Sequence, residues 1–304
     1  MIHNDYLEKA YFEGEIIDFK DANVPIATAG LQYAIATFAG LRGYRQSDGS
    51  MAILRLADHA QRMAESVKIL GFPYKKTPEK LAQIISDTVK ANSPSQDIYI
   101  RPFIYRSDIE LGPKITGDYQ LAVYAMHLKD YLEGSKGLQL ATSSWIRVPD
   151  NAIPAKAKAS GAYINAALAI EEAQSNGFDS AIMLDHKGDV GEGAVMNLFM
   201  VRHGKLLTPG LGGDLLEGIT RRSVVELAKL HKIPMYEGTI RRSQLYTAEE
   251  AFVTGTAAKV SWVAGIDRRE ISQEPGAITK RISDSYEAIV RGEHTLSDSW
   301  LTKI

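Results

Sequence analysis

The sequence predicts a mixed helix-and-sheet protein, α/β or α+β, in two domains. Three observations point there. The chain has 304 residues, more than one hydrophobic core ordinarily organises. Segments with apolar residues every three to four positions alternate with short β-branched runs in both halves. Between the halves, "KDYLEGSKG", residues 129–137, has the composition of a linker. We therefore expect a smaller domain over 1–129, a linker over 130–137 and a larger domain over 138–304.

Each element has its own signal. "AYFEGEIIDF" reads as two short strands around a Glu13-Gly14 turn. "TAGLQYAIATFAG" reads as a helix closed by Gly40. "LRGYR" and "MAILR" flank Asp48-Gly49, a strong hairpin dipeptide. In "LADHAQRMAESVKILG", Leu56, Ala60, Met63, Val67 and Leu70 share one helical face and Gly71 ends it. "TPEKLAQIISDTVKAN" is a second helix with a Thr77 cap, followed by strands in "DIYIRPFIYR" and "YQLAVYAMHL". Past the linker, "LQLATSSWIR" is a strand. Tyr163 to Asn176 is a helix capped by Ser160 and stopped by Gly177. "SAIMLD", "VMNLFMVR" and "KLLTP" are strands, "TRRSVVELAKLHK" a helix, "AEEAFVTG" ends in a strand, and "ITKRISDSYEAIVRG" is the last long helix.

Composition excludes several function classes. The net charge is −2 with both signs interspersed, so there is no basic footprint for nucleic acid. The chain has no cysteine, which rules out disulfides, thiolate catalysis and cysteine-ligated metal. None of its seven histidines pairs at ligand spacing, so no metal is expected. No Gly-x-Ser-x-Gly occurs. The N-terminus is charged from its fifth residue, unlike a signal peptide. Ala22 to Leu41 carries no charge, but Asn23, Pro25, Gly30 and Gln32 dilute it too far for a membrane span. A cytoplasmic protein with small-molecule partners is the expectation.

Four stretches could carry chemistry. In "AKAKASGAYINAAL", Lys156 and Lys158 stand two apart among small residues, and Asp150 is the one acid within ten positions of either. Burial there would lower a lysine pKa and yield a nucleophilic amine able to form a Schiff base. The plain alternative is a loop with two solvated lysines. In "GEGAVMNLF", Glu192 lies between Gly191 and Gly193. A carboxylate there could face a ring nitrogen, or it could be a hairpin glutamate in water. Gly218-Ile219-Thr220 opens a helix, whose free N–H groups and dipole suit a phosphate. "FVTGTAAKV" runs a strand into Thr254-Gly255-Thr256, a turn whose hydroxyls and amides also suit an anion. "PGLGGDLL" is not a dinucleotide fingerprint, because its third glycine is missing.

In order, "LRLADH", "YIRP", "AKASGAYINAAL", "GEGAVMNLF", "LEGITR" and "TGTAAKV" resemble the class IV pyridoxal-phosphate aminotransferases, and within them the branched-chain enzymes. The resemblance runs from about Tyr11 to the last helix. It implies fold type IV, with a small N-terminal domain and a larger cofactor-binding domain built on a barrel-like sheet. It implies that Lys158, five residues before Tyr163, bears pyridoxal 5'-phosphate as a Schiff base and moves protons as base and then acid. Tyr163 would bond the cofactor's phenolic oxygen and Glu192 its pyridine nitrogen. Arg55 would bind the phosphate with the amides of Ile219 and Thr220, behind Gly218, and with Thr256, behind Gly255.

For substrate, the resemblance implies an apolar pocket from Phe38, Tyr33 and Tyr131, with Gly40 beside them, and Arg101 for a glutamate side chain. Tyr99 and the amides of Thr256 and Ala257 would take the α-carboxylate. Leu111 and Pro113 would be lent to a neighbouring subunit, so a homodimer with shared sites is expected, or a higher oligomer built on it. The implied reaction is ping-pong transfer between L-leucine, L-isoleucine or L-valine and 2-oxoglutarate. There are departures. The group's "FEG" is "FAG" here, with Ala39 in place of glutamate, and Leu128 replaces a tryptophan. A D-amino acid aminotransferase or an aminodeoxychorismate lyase on the same fold remains the alternative, as does a cofactor-binding protein without turnover.

Overall fold

The computed structural model describes residues 5–128 and 136–304. Tyr131 and most of the 130–137 linker lie outside the described residues. The chain divides into two compact units. Of the described residues, the first holds 5–128, Ala157–Gly161 and Ile289–Ile304, and the second 136–156 and Ala162–Ala288.

The first unit is built on a sheet of eight strands. Their order runs Leu301–Lys303, Met51–Leu54, Leu41–Arg45, Ile98–Arg106, Tyr119–His127, Lys9–Phe12 and Glu15–Asp18, with Ala36–Phe38 pairing off Ile98–Arg106. The strand Ile98–Arg106 separates core from site. Its side chains alternate between faces, as a period of two requires. Ile98, Ile100 and Ile104 are fully buried in a core with Leu41, Ile53 and Val123, while Tyr99, Arg101 and Phe103 are half-buried. The core is closed by the helices Leu56–Ile69 and Pro78–Asn92, through Leu56, Ala60, Met63 and Val67 of the first and Leu81, Ile84, Ile85 and Val89 of the second. Each buried leucine, isoleucine, valine or methionine among them contributes roughly 1.5–3 kcal/mol. Thr77 caps the second helix, its side chain accepting from the Lys80 amide.

The second unit holds a sheet of nine strands. The order is Val190–Gly193, Ser180–Leu184, Leu138–Thr142, Lys259–Ile266, Glu250–Gly255, Asn197–Arg202, Lys205–Pro209 and Met235–Gly238, with Arg269–Glu270 on Lys259–Ile266. It mixes parallel pairs, such as Leu138–Thr142 beside Ser180–Leu184, with antiparallel ones. Phe199 and Phe252 stack at 5.0 Å in its core. The helices Tyr163–Ser175 and Ile219–Leu230 belong to this unit, and both open at residues singled out above. Among the described residues, no helix is long and apolar enough to cross a membrane.

Several elements differ from expectation. The helix read over "TAGLQYAIATFAG" covers only Ala29–Tyr33. Ala34 takes a left-handed conformation at φ 53°, and Ala36–Phe38 then pairs as a strand with Phe103–Tyr105. A run of small and apolar residues fits either period, and sheet pairing decided it. The strand read over 138–147 stops at Thr142. Ser160 does not cap its helix: Ser160–Ala162 is a 3-10 turn, and Ala162 is the N-cap with no side-chain bond. Gly177 does end that helix, at φ 81°.

Candidate active site

In the first unit, strand alternation brings Phe38, Tyr99 and Arg101 together. Arg101 Nη2 donates to Tyr99 Oη at 2.8 Å. Its guanidinium lies 4.5 Å from the Phe38 ring centroid and 5.1 Å from that of Tyr99. Lys158 Nζ lies over the same phenylalanine ring, 5.1 Å from the Phe38 centroid. Hydrogen bonds hold the main chain of Lys158: Phe38 N–H and Thr37 Oγ1 both donate to its carbonyl, and its N–H donates to Ser66 Oγ. Ala157 and Ala159 on either side are buried. Gly40 leaves room for the tyrosine, since a Cβ there would stand 2.1 Å from Tyr99 Oη.

Arg55 begins the helix Leu56–Ile69 as a left-handed N-cap at φ 51°, ψ 40°. Its guanidinium pairs with Asp58 at 3.2 Å and stacks on Trp300 at 3.9 Å. The loop after Ile98–Arg106 is held from beneath by Arg106, 1% exposed, which bonds Asp108 at 2.9 Å, Glu110 at 2.5 Å and the Lys114 carbonyl at 3.0 Å. Tyr33 Oη accepts from the Gly112 amide of that loop. Leu111 and Pro113 stand exposed on it.

In the second unit, Glu192 is buried, 5% exposed, within the strand Val190–Gly193. This removes the reading of a hairpin glutamate in water. Its Oε1 lies 2.9 Å from Arg147 Nε and accepts from the Leu216 amide at 3.3 Å, while its Oε2 accepts from Asn197 Nδ2 at 2.9 Å. Asn197 Nδ2 also donates to the Leu216 carbonyl. A Cβ on Gly218 would meet Asn197 Oδ1 at 2.1 Å, so glycine at the N-cap lets the helix Ile219–Leu230 start against this amide. Ile219 and Thr220 occupy its first turn, where amides have no intrahelical partner. Thr256 and Ala257 form the turn between Glu250–Gly255 and Lys259–Ile266, and Tyr163 is the first residue of its helix.

Arg147, Asn197 and Leu216 escaped the sequence reading. Asn197 left a trace, as a lone amide inside the apolar run "MNLFMV", because a buried amide needs partners. Lys156 is not the solvated lysine that its flanks suggest. It is half-buried and donates to two carbonyls, Leu211 O at 2.5 Å and Leu215 O at 3.1 Å. Burial draws its ammonium below the ordinary lysine value, against the pull of Glu217, Glu192 and Asp150.

The family model described as amino-transferase class IV matches residues 42–266. The chain belongs to the class IV aminotransferases. Within them it falls with the branched-chain-amino-acid aminotransferases, and it is an enzyme of that type. A probable branched-chain-amino-acid aminotransferase of Aquifex aeolicus is 38% identical, covering 100% of this chain and 99% of the relative. The branched-chain-amino-acid aminotransferase of Escherichia coli K12 is 33% identical over 99% of this chain and 97% of its own length. Among solved structures, the branched-chain aminotransferase of Thermoproteus uzoniensis with norvaline matches with TM-score 0.93 at 37% identity, covering 98% of this chain and 99% of that one. The branched-chain amino acid aminotransferase of Thermobaculum terrenum in its PLP form matches with TM-score 0.91 at 33% identity, covering 99% of this chain and 99% of that one. The class IV fold expected from the sequence motifs is thus the fold this aminotransferase has.

Proposed function

We propose that this aminotransferase uses pyridoxal 5'-phosphate to move an amino group between L-leucine, L-isoleucine or L-valine and 2-oxoglutarate, by ping-pong turnover, as a cytoplasmic homodimer with shared sites. The observation that carries the substrate reading is the Arg101 group. Its guanidinium is held between Phe38 and Tyr99. A ring face suits an aliphatic side chain, and a guanidinium suits the second carboxylate of glutamate. One site could then serve both substrates in alternation.

The residues fit the cofactor by their chemistry. A lysine between buried alanines supplies the amine. A buried carboxylate surrounded by donors suits a protonated ring nitrogen. A guanidinium and a helix N-terminus suit a phosphate. When bound, the cofactor supplies an aldehyde to take the amino group and a ring that withdraws electrons from the substrate Cα. Lys158 would bear it, and its released amine would take the proton from the substrate Cα and return one to the carbon on the other side of the transferred nitrogen. Glu192 would hold the proton on the ring nitrogen. Tyr163 would donate to the phenolic oxygen. Arg55, the Ile219 and Thr220 amides and Thr256 would hold the phosphate. Tyr99 and the Thr256-Ala257 turn would orient the α-carboxylate. Tyr131 would complete the apolar wall, and the exposed Leu111 and Pro113 would serve a second copy's site.

The test is a panel of single-substrate mixings. Purified holoenzyme is mixed in turn with L-leucine, L-valine, L-glutamate, D-alanine and aminodeoxychorismate, and loss of the cofactor's visible absorption is followed. The first three should bleach it. Bleaching by D-alanine but not by L-leucine would overturn the substrate reading.

A further inference from the structure

Two lysines separated by a single residue fall in different units: Lys158 in the first and Lys156 in the second. Only Lys158 has a part in the reaction proposed above. Lys156 is nevertheless tied to the surroundings of Glu192 through one peptide group. Leu215 is 2% exposed, and its carbonyl accepts from Lys156 Nζ at 3.1 Å. The N–H of that same peptide group belongs to Leu216, and it donates to Glu192 Oε1 at 3.3 Å. The peptide is planar. Fixing the direction of its oxygen therefore fixes the direction of its N–H. A cation on the oxygen also polarises the group and strengthens the N–H as a donor.

The rest of the loop agrees. It leads from the strand Lys205–Pro209 to the helix Ile219–Leu230. Lys156 holds it a second time at the Leu211 carbonyl, 2.5 Å away. Immediately beyond, the Leu216 carbonyl accepts from Asn197, whose amide also reaches Glu192. The segment bearing Lys156 is itself fixed to this loop: the Asp150 amide donates to Asp214, and the Ala155 amide donates to Asp150.

We propose that Lys156 is a positioning residue, whose ammonium locks the Leu215–Leu216 peptide so that its N–H aims at Glu192 and sets how that carboxylate holds the cofactor's ring nitrogen. This rests on the reading that Glu192 faces that nitrogen. Removing the ammonium takes from Glu192 a donor and a nearby positive charge. The carboxylate then draws the ring proton closer, the ring withdraws fewer electrons, and the lysine-linked nitrogen becomes more basic.

The experiment uses Lys156→Met, Lys156→Arg, Glu192→Gln and the Lys156→Met/Glu192→Gln pair. Two quantities are read. One is hydrogen exchange of the Leu216 amide in cofactor-free protein. The other is the midpoint of the pH titration of the bound cofactor's visible absorption. Lys156→Met should speed Leu216 exchange about tenfold, as loss of one hydrogen-bond constraint allows, and raise the midpoint by about half a unit. Lys156→Arg, which still offers a cation to both carbonyls, should restore both. In the Glu192→Gln background the Lys156→Met shift should vanish. A lower melting temperature in Lys156→Met with both readouts unmoved overturns the proposal, while a Glu192→Gln midpoint that moves would leave the Glu192 reading standing. A midpoint indifferent to Glu192→Gln overturns that reading and the proposal with it.

Discussion

The guanidinium of Arg55 lies over the indole of Trp300, 3.9 Å from the ring centroid, and the Arg55 amide donates to the Trp300 carbonyl at 2.7 Å. Two residues far apart in sequence thus meet through both side chain and backbone. Arg55 is held in a left-handed conformation, which costs a residue other than glycine roughly 1–2 kcal/mol. The contacts to Trp300 and Asp58 offset that cost and set the direction of a guanidinium proposed to bind phosphate.

Trp300→Leu should therefore weaken cofactor binding while Trp300→Phe, which keeps a ring face, should weaken it less. A cation–π contact of this burial contributes about 0.5–2 kcal/mol. The dissociation constant should rise about two- to thirtyfold in the leucine variant. Titration of cofactor-free protein with pyridoxal 5'-phosphate measures it. Equal affinities in all three proteins would show that the stacking does not serve the phosphate.

Gly40→Ala should disturb the substrate rather than the cofactor. The added methyl would stand 2.1 Å from Tyr99 Oη, so the tyrosine must move off Arg101. A hydrogen bond to a charged group contributes about 1.5–3 kcal/mol, or about ten- to a hundredfold. KM for 2-oxoglutarate should rise on that scale, and steady-state kinetics at saturating L-leucine would show it. An unchanged KM would mean that Tyr99 and Arg101 act independently.

Lys158→Ala should abolish the visible absorption of the bound cofactor and lower turnover by about a thousandfold or more, the scale of a lost proton carrier. Spectra of the purified variant and a coupled glutamate assay would test both. A coloured variant with full turnover would transfer the role to another amine.

Acid should loosen the second unit at Asp267. Burial there would raise its pKa, but it is outweighed. The Thr142 amide and hydroxyl, the Tyr246 hydroxyl and Arg242 all donate to this carboxylate, at 2.6, 2.8, 2.7 and 3.2 Å, and hold it below the ordinary aspartate range. The folded value therefore lies below the unfolded one. Its stabilisation is complete above about pH 4 and is lost as pH falls through the lowered value. Asp267→Asn should destabilise the protein by about 2 kcal/mol near neutral pH and flatten the acid side of its stability profile. Denaturant titrations from pH 7 to pH 3 would measure both.

The long helices were legible because one periodicity fitted each of them. Leu56, Ala60, Met63 and Val67 fall on the buried face read from spacing alone. "TAGLQYAIATFAG" was not legible, because alanine and glycine fit helix and strand alike and the partner strand lies some sixty-five positions away. The strand Lys259–Ile266 carries a strand signal of its own in Val260, Trp262, Val263 and Ile266. In the site, Lys158 and Glu192 were visible as residue types in unusual company. What surrounds them was not: Arg147, Asn197 and the Leu216 amide reach Glu192 only through the folded sheet and loop. The partners of Lys156 were not legible either, because they are backbone carbonyls, which carry no mark in a sequence.

The strand Leu301–Lys303 closes one edge of the first unit's sheet by pairing with Met51–Leu54, and Ala159 bridges Thr37 nearby in the same unit. During synthesis, Met51–Leu54 leaves the ribosome long before either of these late segments exists. The first unit cannot be finished while the second is still being made. Its early strands must wait with an unpaired edge, the condition in which nascent sheets are most prone to aggregate. Production of this enzyme should accordingly be sensitive to chaperone supply, and a fragment ending before residue 289 should not yield a stable N-terminal piece.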